Sequence, residues 1–422
     1  MTTTGRPAAA LEDASWLTQG AAARLLDALD RDGEEARAVG GAVRNAMLGL
    51  PVGEIDIATT ALPDEVMRRA KAAGFKPVPT GIDHGTVTIV VDSEPFEVTT
   101  LRVDVETYGR KARVSFGRDW ARDAERRDFT INALSVSRDG TVHDYVGGLD
   151  DLGARRVRFI GDPAARIAED YLRILRFFRM HASYGAGALD PAALAACIAA
   201  RAGLAGLSAE RIQAELLKLL VAAGASPSLE AMGDAGLLLV LLGGVTYHAS
   251  FDAMIGIERQ LGVAADATRR LAALAVAIPE DAERLAQRLR LPNREADRLD
   301  SMAHRWRRWS SLDETEARIR LYKLGADRYR DRMMLAFARL GREPDVDLMM
   351  QLVTLPERWV VPVLPLKARD FLARGIAQGP ALGEALAHAE QAWIDADFPD
   401  DDPTLASIAA AAARVALQGS RG

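Results

Sequence analysis

Two carboxylates stand two residues apart in the run Glu54-Ile55-Asp56-Ile57, shortly after a Gly40-Gly41 pair and Arg44. In a β-prone run, side chains two apart face the same way, so this spacing predicts paired hard oxygen ligands on one face. Such a pair suits Mg2+. Gly40 and Gly41 follow a short apolar run, 36–39, and glycines at a strand end let backbone N–H groups approach a phosphate closely. Arg44, on the first turn of an expected helix, is placed to meet the same anion. Taken singly, the glycines also fit an ordinary strand–helix turn, and the carboxylates a polar strand end. Together they point to chemistry on a phosphorylated substrate beside a cation.

Two later motifs carry further polar chemistry: Arg126-Arg127-Asp128-Phe129-Thr130-Ile131-Asn132-Ala133-Leu134, and Glu169-Asp170-Tyr171-Leu172-Arg173 followed by Arg176 and Arg179. On one continuous helix from 162 to about 183, steps of three align Asp170, Arg173, Arg176 and Arg179 along a ridge. Cytosine and adenine both expose an amino group beside a ring-nitrogen acceptor. Asp170 can accept from the first and Arg173 can donate to the second, whereas guanine and uracil present a carbonyl that Asp170 repels. Such a pair is worth about 1–3 kcal/mol of discrimination. The same residues also fit a plain intrahelical salt-bridge ladder.

The order of these motifs resembles the nucleotidyltransferase superfamily of polymerase-β type. Within it, the pattern is similar to class II tRNA CCA-adding enzymes and bacterial poly(A) polymerases. The resemblance is detailed from 40 to about 220 and thinner beyond. It implies that Glu54 and Asp56 hold Mg2+, with Glu97 on a neighbouring strand as the third acid of a catalytic set. It implies a triphosphate site of Gly40, Gly41, Arg44, Arg127, Arg176 and Arg179, with Asp128 and Asn132 at the ribose. An Asp acceptor at a 2′-hydroxyl also selects ribonucleotides on physical grounds. The implied reaction adds C, C and A to the tRNA 3′ end from CTP and ATP, with the protein as its own template. Two departures stand out. Glu54 occupies a position usually held by Asp, and Asn45 one usually held by Asp. Three alternatives remain at this stage: a poly(A) polymerase, a CC-adding enzyme, and an RNA-binding protein without catalysis.

The elements that must position these residues follow from patterning. The expected fold is an α+β head, a mixed sheet with helices, followed by an all-α neck, body and tail. The expected divisions are an N-terminal helix within 1–35, a head at 36–155, a neck at 156–225, a body at 226–345, and a tRNA-binding tail at 346–422. Residues 16–30 read as one amphipathic helix. Pro63 opens another, with Asp64 and Glu65 in its first turn and Gly74 past its end. Residues 86–91 and 95–101 read as strands, and 102–120 as a flexible polar loop, which in the resembling family assists the switch from C to A. Ser208 in the run Leu207-Ser208-Ala209-Glu210-Arg211 is an expected N-cap, and the family implies that this run braces the preceding helix. Charged–aromatic runs at 305–309 and 328–330, and Gly379-Pro380 opening a helix, are candidate tRNA contacts; the runs fit solvated helix faces with Trp in the core equally well.

The 422 residues suffice for several domains, and aromatic content of 6% favours small aliphatic cores. A formal net charge of −6 excludes a general basic coat for nucleic acid. The single cysteine, Cys197, rules out an intrachain disulfide and a cysteine-cluster metal site, and with the absence of a long apolar run suggests a cytoplasmic protein away from membranes. His143-Asp144 suggests a metal phosphohydrolase, but the six histidines lack the spacing of such a site and are expected to be structural.

Overall fold

Period-two burial is plainest in the centre of the head. In β5 (Thr86–Val91) the side chains of Val87, Ile89 and Val91 are buried and those between them are not. In β6 (Glu94–Thr100) Phe96, Val98 and Thr100 turn inward, which puts Glu97 on the opposite face. The computed structural model describes residues 4–7, 11, 14–108, 111–304, 309, 313–341 and 345–419. With β1 (Thr4–Pro7), β2 (Ala36–Val39), β3 (Asp56–Thr59), β4 (Lys76–Gly81), β9 (Ser135–Val136) and β10 (Thr141–Asp144), these strands make one sheet in the order β1-β10-β9-β2-β3-β6-β5-β4. Only β3 and β6 run parallel, with Ile57 beside Val98; the other neighbours are antiparallel. The helices Gly20–Leu29 and Pro63–Ala72 pack against this sheet. After the head the chain is helical, as the sequence predicts. It divides into two compact units, 1–246 with 288–290, and 247–287 with 291–422.

The helix at 63–72 has the features expected of it: Pro63 at its start, and Asp64 and Glu65 in its first turn. Three elements differ from expectation. The helix expected at 16–30 is split into Ser15–Thr18 and Gly20–Leu29, where Gln19 is extended with φ −136° and ψ 165° and Gly20 takes φ 81°. The segment expected as a loop at 102–120 is mostly a hairpin of β7 (Arg102–Tyr108) and β8 (Lys111–Phe116), followed by a helix at Trp120–Glu125. Its alternating valines and threonine suit a strand, and its charges hid that pattern. Gly109 and Arg110 lie outside the described residues. The long helix expected at 162–183 is broken: Pro163–Glu169 ends at Asp170, with φ −158° and ψ 108°, and Leu172–Tyr184 begins anew. The Asp170 carboxylate accepts from the Leu172 N–H at 3.1 Å, so Asp170 serves as a cap rather than as an interior helix residue.

The head closes on a fully buried acid. Asp151 accepts from Thr130 Oγ1 at 2.7 Å, Arg156 Nε at 2.7 Å and Arg158 Nε at 2.8 Å. Burial alone raises its carboxyl, but these bonds and charges outweigh that and hold it below the usual carboxylate value. A depressed folded pKa gives stability that is present above the unfolded value, about 4, and is lost as pH falls through the folded value. Asp151→Ala should therefore cost about 2–3 kcal/mol at neutral pH. Chemical denaturation at pH 7 and pH 3 checks this, with the gap to wild type expected to shrink in acid. A constant gap would refute it.

The unit beginning at Tyr247 is built around a buried charge network. Asp331 accepts from Arg269 Nε at 3.1 Å and Arg298 Nε at 2.8 Å, and Glu258 accepts from Arg270 Nε at 2.7 Å and Arg269 Nη1 at 3.2 Å. Among the described residues, two aromatic members of the candidate tRNA patches, Trp309 and Tyr329, are core residues here. Trp309 and Tyr329 are fully buried with ring centroids 5.8 Å apart, and the Tyr329 hydroxyl donates to the Leu352 carbonyl at 2.8 Å. Arg328 and Arg330 pair with Asp297 and Glu357. Residues 305–308 lie outside the described residues. Trp393 and Phe371 anchor a second core formed by the Pro380–Asp395 and Asp402–Gly419 helices.

Candidate active site

The antiparallel pairing of β2 with β3 sets Val39 opposite Asp56, which places the Gly40 turn at the carboxylate end of β3. Gly40 has φ 69° and ψ −120°, a conformation that favours glycine, and precedes the Gly41–Met47 helix. A Cβ there would lie 3.6 Å from Arg127 Nη1 and 3.7 Å from the Asn132 carbonyl, so the turn lies against both residues. The parallel register puts Asp56 level with Glu97, one residue before the Ile57–Val98 pair. Glu54 requires a correction. The strand starts at Asp56, so Glu54 lies in the irregular segment before it and the period-two argument does not reach it. It still acts on Asp56 electrostatically. The Asp56 carboxyl is raised above its usual value by desolvation first, then by the Glu97 and Glu54 charges, with Arg127 pulling the other way.

No hydrogen bond or ion pair engages the side chains of Glu54, Asp56 or Glu97 among the described residues. Three carboxylates without a partner among the described residues, two of which raise the third, Asp56, are a donor set suited to a hard divalent cation. Among the described residues no three acidic, histidine or cysteine side chains already converge as a closed ligand cluster. The fit therefore rests on donor chemistry.

A polar chain runs from the glycine turn into the helices after the head. Arg44 is buried, and it donates to Asn132 Oδ1, to Asn45 Oδ1 at 2.9 Å and to the Tyr184 hydroxyl at 2.7 Å. Its guanidinium also stacks on the Tyr184 ring, 3.7 Å from the centroid. Asn132 Nδ2 donates to Asp128 Oδ1 at 3.1 Å, and that oxygen also accepts from the Phe129 N–H at 2.9 Å. Asp128 Oδ2 accepts from Arg176 Nε at 2.8 Å and from Arg176 Nη2. Burial opposes its charge, but Arg176 and these hydrogen bonds hold its carboxyl below the usual value. All four acceptor positions of Asp128 are thus filled within the protein. In this arrangement Asp128 orients Asn132 and Arg176 and has no acceptor left for a ribose hydroxyl. The second amide hydrogen of Asn132 has no partner in the chain just described. Arg176 also approaches Glu215 at 3.6 Å, and Arg179 donates to Glu215, so both arginines are engaged by carboxylates. Arg127 pairs with Asp123 at 3.2 Å and remains beside Gly40 and Asp56.

Asp170 and Arg173 have separate partners. Asp170 is held by Arg211, with Nη2 to Oδ2 at 2.5 Å and Nη1 to Oδ1 at 3.1 Å. Arg173 donates to the Arg166 carbonyl at 2.7 Å and to Glu169. The ridge expected from Asp170 onward therefore starts at Arg173. A cavity of about 690 Å³ lies beside Asp170, lined among others by Glu169, Tyr171, Ser208 and Arg211. The run around Ser208 braces the preceding helix, through Arg211 on Asp170 and Glu215 on Arg179. Ser208 occupies the N-cap position, but its side chain makes no capping bond. Tyr184, Asp123 and Arg166 are partners that the sequence reading did not single out, and Arg211, named there within the bracing run, had no partner assigned. Arg166 ties the neck to the head by donating to the Arg126 and Arg127 carbonyls. His143 shares a 2.7 Å hydrogen bond with Ser137, and Asp144 accepts from four backbone N–H groups between Val146 and Leu149. The His143-Asp144 pair is therefore structural.

A mixed sheet with carboxylates at adjacent strand positions, a glycine turn and an arginine beside them defines a nucleotidyltransferase head. Residues 36–158 match the family "Poly A polymerase head domain", and 188–247 match "Probable RNA and SrmB- binding site of polymerase A". The chain is 35% identical over 384 residues to the mitochondrial CCA tRNA nucleotidyltransferase 1 of Danio rerio, covering 87% of this chain and 85% of that one. It is 32% identical over 397 residues to the CCA-adding enzyme of Limosilactobacillus fermentum, covering 91% and 95%. Among solved structures it is similar to the Bacillus stearothermophilus CCA-adding enzyme in complex with CTP, with TM-score 0.73, 26% identity, and coverage of 94% and 98%. The chain belongs to the CCA tRNA nucleotidyltransferase and poly(A) polymerase family. Among the described residues no helix is long and apolar enough to cross a membrane.

Proposed function

We propose that this chain adds C, C and A to the 3′ end of tRNA from CTP and ATP, releasing pyrophosphate. The observation that carries the reading is Asp56 level with Glu97 across a parallel strand pair, with Arg127 acting on the same carboxylate from beside the Gly40 turn. The relatives named as CCA-adding enzymes support the choice of substrate. In this reading the tRNA 3′-oxygen bonds to the α-phosphorus, the bond from that phosphorus to the β-phosphate bridge breaks, and the hydroxyl proton leaves to solvent. A divalent cation, Mg2+, held by Asp56 with Glu54 and Glu97, would supply Lewis-acid activation and charge screening. Gly40, Gly41, Arg44 and Arg127 receive the triphosphate, with Arg176 and Arg179 bracing that side of the site. Asn132, oriented by Asp128, faces the ribose. Asp170 and Arg173 read the base edge.

The parts divide accordingly. The head at 36–155 carries the chemistry, the neck at 156–225 chooses the letter, and the body and tail, 226–345 and 346–422, hold the tRNA. The test incubates the chain with tRNA lacking its last three nucleotides, CTP, ATP and Mg2+, and sequences the 3′ ends. Addition that stops after C, C and A is the expected result. A run of A from ATP alone, a stop after two C, or tRNA binding without extension would each overturn the reading.

A further inference from the structure

A buried cation ordinarily has an anionic partner, because desolvating an unpaired charge is costly. Arg44 is an exception. It is 7% exposed, and its hydrogen-bond acceptors, Asn45, Asn132 and Tyr184, are all uncharged. The nearest acid in this chain of contacts, Asp128, makes no ion pair with Arg44: it is hydrogen-bonded to it through Asn132, its charge acts on Arg44 from a distance as a lesser cause than burial, and it is itself occupied by Arg176. Asn45 is fixed in turn, donating from Nδ2 to the Pro51 carbonyl at 3.1 Å. Tyr184 supplies both a hydroxyl acceptor and an aromatic face, which favour a guanidinium without neutralising it. The guanidinium is therefore oriented on several sides while its charge stays available.

We infer that Asn45 and Tyr184 are positioning residues that keep Arg44 aligned but unneutralised, and so set the affinity of the site for a triphosphate. The inference rests on the nucleotidyltransferase reading and deepens it. It also gives the Asn45 departure a physical consequence: a carboxylate at 45 would lie within hydrogen-bond distance of Arg44 and compete with the incoming phosphate.

The test measures equilibrium binding of inorganic tripolyphosphate to the full chain by calorimetry, alongside KM and kcat for CTP and ATP. Asn45→Asp should weaken tripolyphosphate about tenfold and raise both KM values by a similar factor, more than kcat falls. Tyr184→Phe keeps the ring and should change affinity less than threefold. Tyr184→Leu loses ring and hydroxyl and should weaken it tenfold or more. Thermal melts of the same variants identify any that fail to fold, and Asn45→Asp, an isosteric change at a half-buried position, carries the test if Tyr184→Leu does not fold. Tripolyphosphate affinity within twofold of wild type for a folded Asn45→Asp would overturn the inference. Because tripolyphosphate binding needs no tRNA, that failure is distinguishable from a wild-type chain that never extends tRNA, which would overturn the functional reading instead.

Discussion

Asp56→Asn is expected to lower CMP incorporation into truncated tRNA by about a thousandfold, or about 4 kcal/mol in the barrier. Binding of tRNA in a gel should be nearly unchanged. The substitution keeps the shape of the strand end and removes the carboxylate that Glu54 and Glu97 press upon. The same geometry fixes two secondary signs. The Asp56 carboxyl is raised in the folded, cation-free chain, so its ionisation costs stability as pH rises through the folded value. Asp56→Asn should therefore melt slightly higher than wild type without Mg2+, and lose the increase in melting temperature that Mg2+ gives wild type. A bound cation favours the ionised carboxylate, so the activity of wild type should fall as pH drops into the raised range. Retained turnover in Asp56→Asn would remove the central assignment.

Asp331→Ala is expected to destabilise its unit by about 3–5 kcal/mol, because it leaves Arg269 and Arg298 buried or partly buried without a shared carboxylate. Asp331 itself is 2% exposed. Replacing one member of a buried network differs from replacing its partners with it, so a triple change of Asp331, Arg269 and Arg298 to apolar residues, which leaves Glu258 paired with Arg270, should recover part of the loss. Urea denaturation followed by fluorescence checks both, since Trp309 lies in the same unit and is buried. A single variant within 1 kcal/mol of wild type would show that the network contributes little. The unit that begins at Tyr247 is expected to control the amount of folded chain and not the choice of nucleotide.

The legible parts of the site were those whose chemistry is local. Gly40 and Arg44 sit on one turn and its helix, and the Asp128 to Asn132 hydrogen bond spans four residues, so sequence spacing carries the geometry. The alternation that turns Glu97 away from the core is likewise a property of one strand. What could not be read are pairings across long separations. Arg211 finds Asp170 from 41 residues away, and Tyr184 finds Arg44 from 140. No periodicity encodes these, because each depends on how two helices are packed. The split of the 162–183 helix was hidden for a different reason. Its apolar pattern continues across Asp170, and only the capping preference of that residue signals the break.

That break alters how genetics at this position must be interpreted. Asp170 ends one helix while starting the next and is held through both carboxylate oxygens by Arg211; under the proposed function it also offers a negative edge to an incoming base. Asparagine is also a good cap, so Asp170→Asn spares the helix break and removes only the charge, which Arg211 also meets, whereas alanine adds local refolding of the backbone. A mutational scan that samples only alanine would therefore overstate the contribution of this residue to fidelity.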